Sequence, residues 1–139
     1  VFIFSYRVGY YEADRMNVMH HARYFEIFER ARTELLRAAG KTYREVEDGG
    51  VFLPVVEATA RYRAPIYYDE EIAVETRVER LSVSEVRFAY RIMKADGTVA
   101  AEGLTRHAIV GPDFRLLRLK GERWDALNTL LKPYLTGGA

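Results

Sequence analysis

Only one stretch of this chain repeats with the period of an α-helix over several turns, and nearly everything after it alternates with period two. Between His21 and Ala39, the apolar residues Tyr24, Phe28, Ala31, Leu35 and Ala38 recur at steps of three and four. Phe25 and Leu36 widen that stripe, while Glu26, Glu29, Arg30, Arg32, Glu34 and Arg37 take the other faces. Gly40 supplies the stop. At 1.5 Å per residue such a helix is about 28 Å long, enough to cross a whole sheet.

A strand-like run, Phe2 to Tyr10, precedes the helix, and four more follow: Val55–Arg63, Glu71–Arg80, Glu85–Lys94 and Thr98–Val110. Asp96-Gly97 is the pair that favours a type I′ turn, so the last two runs are expected to form a hairpin. Gly103 lacks a side chain where a helix would approach the sheet closely. A short amphipathic helix at about 122–132, carrying Trp124, Leu127 and Leu131, precedes Pro133. This order predicts an α+β fold: an antiparallel sheet wrapped around one long central helix. The remaining sheet edges would be covered best by a second copy of the chain.

The 139 residues fit one domain, 1–139, with no repeat or linker to divide them. There is no cysteine, which removes thiolate catalysis and thiolate metal ligation and agrees with a reducing, cytoplasmic setting. Net charge is +1, so no global field selects nucleic acid or an anionic membrane. No apolar run approaches the roughly 20 residues of a spanning helix, and Val1 to Val8 alternate like a strand rather than resembling a signal peptide. G-x-S-x-G, G-x-G-x-x-G and Walker A motifs are absent. His20-His21 lacks both a nearby third ligand and H-E-x-x-H spacing, so no metal is expected. His107 shares a strand face with Ala101, Gly103, Thr105 and Ile109, an ordinary sheet position.

The densest polar–aromatic cluster, Tyr10 to Tyr24, lies between the first strand and the helix start. A helix N-terminus offers free N–H groups and partial positive charge, which polarise a carbonyl. A carboxylate just upstream, Asp14, would face the same carbon and attack it or activate water. Asp14 three residues before Asn17 also fits a plain Asx-type turn.

The stretch V-G-Y-Y-E-A-D-R-M-N-V-M-H-H-A-R-Y, Val8 to Tyr24, resembles the Y-x-x-T-D-x-x-G-h-V-h-H-x-x-Y signature of the 4-hydroxybenzoyl-CoA/YbgC-type acyl-CoA thioesterases. Ala60 to Glu70 is similar to the same family's Pro–aromatic–acid turn. The resemblance implies a hotdog fold, a homodimer or dimer of dimers, no cofactor and an acyl-CoA substrate. It carries the catalytic aspartate to Asp14, the signature histidine to His21 and the signature aromatic to Tyr24. A backbone N–H near His21 or Ala22 would bind the thioester carbonyl. Tyr11, Met19 and Tyr24 would wall the acyl group, and Arg61 and Arg63 would meet the nucleotide phosphates. Asn17 stands at a usual glycine position and tolerates φ > 0, Met16 would narrow the acyl pocket, and Arg23 replaces the usual Asn. A hotdog enoyl-CoA hydratase or dehydratase and a non-catalytic acyl-CoA binding module are the alternative readings.

Overall fold

The periodic segment forms α1, Arg23–Ala39, in a computed structural model that describes residues 1–136. The last three positions of the expected 1–139 domain lie outside the described residues. The five strands are β1 (Phe2–Arg7), β2 (Val55–Tyr62), β3 (Glu71–Leu81), β4 (Glu85–Lys94) and β5 (Val99–Ala108). All pair antiparallel in the order β1-β3-β4-β5-β2, which leaves β1 and β2 at the edges. Two further helices are α2 (Tyr43–Asp48) and α3 (Gly121–Leu131).

α1 lies across the inner face of the sheet. Its buried side Tyr24, Ile27, Phe28, Ala31, Leu35 and Leu36 meets Ile72, Val74 and Val78 of β3 and Val86, Phe88, Tyr90 and Ile92 of β4 in one core cluster. Phe28 stacks on Tyr90 with ring centroids 4.5 Å apart. A Cβ on Gly103 would collide with the Phe28 ring, so the missing side chain is what lets α1 reach β5. Arg32, expected on a solvent face, is 7% exposed and packs near the Tyr90 and Tyr43 hydroxyls. The helix also starts two residues later than its pattern suggests, because His21 and Ala22 are spent in a turn.

Two local readings are corrected. The β4–β5 hairpin is not type I′: Asp96 keeps φ < 0, Gly97 donates to the Lys94 carbonyl (2.9 Å) at φ +89, and Lys94 donates to Thr98 (2.8 Å). This is a type I turn closed by a glycine bulge, the usual three-residue hairpin loop. The helix α2 was not expected, although Thr42-Tyr43-Arg44-Glu45 is a capping box: Thr42 Oγ1 accepts the Glu45 amide at 3.2 Å and Glu45 Oε1 accepts the Thr42 amide at 3.1 Å.

The outer sheet face is a charge lattice. Arg61, Glu102, Arg91 and Glu75 sit side by side across four strands in alternating sign. Among the described residues no helix is long and apolar enough to cross a membrane.

Candidate active site

After β1 the chain makes one 3-10 turn, Tyr10–Glu12, and then a small hairpin. The His20 amide donates to the Glu12 carbonyl (3.0 Å), Ala13 bridges Met19, and the Asp14 amide donates to the Val18 carbonyl (2.9 Å). The hairpin turns at Asp14–Asn17, with the Asn17 amide on the Asp14 carbonyl (3.0 Å) and Asn17 at φ +66. Asparagine therefore does fill a left-handed glycine-type position. Val18 and Met19 then dock on Tyr67 and Ile66, so the hairpin rests on the segment before β3.

Asp14 Oδ1 accepts the Met16 amide at 2.8 Å and the Val18 amide at 3.3 Å, so the Asx-turn reading holds as local geometry. Those two bonds aim the carboxylate and occupy one of its oxygens. Asp14 is exposed, and it lines a groove of about 390 Å³ together with Tyr11, Ala13, His20, Ala22, Arg23 and Glu26. A charged oxygen from the first loop and the start of α1 thus border one cavity.

The first turn of the helix is more occupied than expected. The Ala22 amide donates to His20 Nδ1 (3.2 Å), and Arg23 and Tyr24 donate to the carbonyls of His20 and His21. Among the described residues the His21 amide has no acceptor, whereas the Ala22 amide is taken by His20. The His21 imidazole stacks on His20 (4.4 Å) and faces the Tyr62 ring edge-on, while the Tyr62 hydroxyl donates to the His21 carbonyl (3.2 Å). It is His20, not His21, that lines the groove.

Met19 and Tyr24 were expected in the acyl wall. Both are core residues, 3% exposed, and neither lines the groove. Burial pushes the Tyr24 hydroxyl up to about 12, with Tyr62 and Glu70 adding to the effect, so it stays protonated at neutral pH. Met16 is 79% exposed and outside the groove. Arg61 sits on the outer sheet face beside Glu102 and Arg91, and Arg63 pairs with Glu102 at 3.1 Å, so neither joins Asp14 within one chain. The groove adds four residues the sequence reading did not select for the site, Ala13, His20, Arg23 and Glu26. Arg23 bonds both Glu26 oxygens (3.1 and 2.9 Å) and lies over the Tyr11 ring (5.6 Å). Their i, i+3 spacing on the first helical turn was the available signal. Among the described residues no three His, Cys, Asp or Glu side chains converge as a metal centre would.

The family model for the thioesterase-like superfamily matches residues 8–123, which include the Asp14 hairpin, α1 and the whole β2–β5 sheet. The chain belongs to that superfamily. It is an enzyme of the YbgC-type thioesterase family with the hotdog fold. It is 30% identical to the acyl-CoA thioester hydrolase YbgC of Escherichia coli, over 81% of this chain and 84% of that protein. It is 35% identical to the acyl-CoA thioesterase YbgC of Haemophilus influenzae, over 67% and 69%. In three dimensions it is similar to a DHNA-CoA thioesterase from Staphylococcus aureus, with a TM-score of 0.84, 30% identity and coverage of 91% of this chain and 86% of that one. The thioesterase family and the groove beside α1 together define the chemistry to be explained.

Proposed function

We propose that this thioesterase-family enzyme hydrolyses acyl-CoA thioesters in the groove between the Asp14 hairpin and the start of α1. The observation that carries the reading is the shared border of Asp14 and the first turn of α1 on one cavity. The thioester carbonyl rests against the Ala22–Arg23 start of α1, where the helix's partial positive charge stabilises the oxyanion. Asp14 reaches the carbonyl carbon with the oxygen that its own loop leaves free. As a nucleophile it forms a mixed anhydride and expels the CoA thiolate, and water then opens the anhydride to release the acid; as a base it takes a proton from water, whose oxygen attacks the carbonyl carbon and displaces the thiolate. The ring of Tyr11 flanks the acyl group, and His20 and Arg23 close the sides.

The active unit is a homodimer joined along β2. That edge strand is exposed along nearly its whole length and carries Val55, Val56 and Tyr62 at 43%, 48% and 47% exposure. Open apolar edges invite pairing with another chain. A partner supplies the side of the groove that one chain leaves open, and the arginines of the outer face, Arg61 and Arg63 among them, meet the nucleotide.

Asp14→Asn tests the core of this reading. Thiol release from acyl-CoAs should fall by about 10²-fold or more in kcat, with the melting temperature unchanged. Near-normal turnover would remove Asp14 from the reaction. In single-turnover hydrolysis in ¹⁸O water, label found in residue 14 by mass analysis establishes the anhydride route.

A further inference from the structure

Directly beneath the proposed site lies a carboxylate with no assigned part in it. Glu12 is 5% exposed. Its Oε1 accepts the Gly9 amide at 2.8 Å, and its Oε2 accepts the Tyr6 hydroxyl at 3.1 Å. Burying a carboxylate costs several kcal/mol unless its oxygens are bonded, and an apolar residue of similar size would serve stability alone at least as well. What the carboxylate adds is geometry. Its backbone carbonyl holds His20, its side chain holds Gly9 and Tyr6, and it stands at the base of the hairpin that carries Asp14.

The connection continues to the other half of the site. The Arg30 guanidinium of α1 lies 4.4 Å from the Tyr6 ring centroid and 5.3 Å from that of Phe4, so the helix grips β1 at the residue that binds Glu12. Helix, strand and hairpin are thereby tied in series: Arg30, Tyr6, Glu12, then Asp14. The turn between them is tight, because a Cβ on Gly9 would come within 2.7 Å of the Tyr11 ring, which lines the groove. Burial and the Glu12 charge push the Tyr6 hydroxyl far up, so it stays a donor across the working pH range.

We propose that Glu12 is a positioning residue: clamped between the Tyr6 hydroxyl and the Gly9 amide, it fixes the distance between Asp14 and the tip of α1. This rests on Asp14 being the reacting carboxylate. A displacement of about 1 Å at a reacting group costs on the order of 10²-fold in rate, so the clamp acts on kcat rather than on affinity.

The test uses the full chain with Glu12→Ala, Glu12→Gln and Tyr6→Phe. Each is assayed for thiol release from acetyl-CoA and benzoyl-CoA and for amide hydrogen exchange. Glu12→Ala should lower kcat at least about tenfold with KM within about threefold. The Asp14, Met16, Val18 and His20 amides, which are bonded within the hairpin, should exchange at least about tenfold faster while α1 amides keep their protection. Glu12→Gln keeps Oε1 to accept the Gly9 amide and turns its Nε2 to donate to the Tyr6 hydroxyl oxygen, so it preserves both contacts and should stay within about threefold of wild type, with Tyr6→Phe in between. Wild-type kcat in Glu12→Ala overturns the proposal, as does a Gln variant no better than Ala, or exchange that rises throughout α1. If the wild type releases no thiol, the hydrolase reading fails, and faster exchange confined to the hairpin still decides for the clamp.

Discussion

The His107 imidazole is fully buried, and each of its ring nitrogens faces a single partner. Nδ1 lies 2.9 Å from the Leu53 carbonyl, which can only accept, so Nδ1 carries the proton. Nε2 then accepts from Thr105 Oγ1 at 2.8 Å, and Thr105 in turn accepts from the Tyr90 hydroxyl at 2.7 Å. Burial first, and then the Arg32 charge, push the imidazole down from 6.5 to about 4. The folded state therefore binds fewer protons than the unfolded state between those values, and stability drops as pH falls through that window. The loss should reach about 3 kcal/mol by pH 4. Urea denaturation between pH 4 and 8 measures it, and His107→Gln should flatten that part of the profile. The residue type was visible in the sequence, as was its strand face. Its neutrality was not, because Leu53 and Tyr90 approach it only once β2, β4 and β5 are side by side.

At the scale of elements, α1 and β5 touch through an absence. Phe28 occupies the volume where a Gly103 side chain would stand, with the Thr59 carbonyl 3.0 Å from the same point on the far side. Gly103→Ala should cost about 1–3 kcal/mol by overpacking, read as a lower urea midpoint with an unchanged m-value. Pairing it with Phe28→Leu should recover part of the loss, since the two sites share one space. This contact was legible early, because a lone glycine in an alternating strand marks close approach. The late start of α1 was not. His21 and Ala22 have helix-compatible residue types, and only the turn that closes the Asp14 hairpin takes them out of the helix. α2 was legible and missed: its six residues are too short for a periodic signal, and its capping box was the only mark.

For the whole molecule, the exposed β2 edge sets the expected association. In solution the protein should have twice the 16.1 kDa mass of one chain. Val55→Asp with Val56→Asp should shift it toward the single-chain mass by light scattering, because charges on an edge strand oppose pairing. Thiol release should fall with the dimer fraction. A monomer of full activity would show that one chain completes the groove alone.

Apolar spacing by itself determined the long helix, the five strands and their two faces, because burial requires the period of each element to match its geometry. Order along the chain also marked Asp14 as the last carboxylate before the helix start. The tertiary structure decided what Asp14 meets. It drew Glu26 into the groove, set Met19 and Tyr24 into the core, and turned Arg61 to the opposite side of the sheet. It also joined Glu12 to Tyr6 and Arg30. Those outcomes depend on which strands become neighbours and which way each residue faces after the chain has folded back on itself, and spacing along one segment does not carry that information.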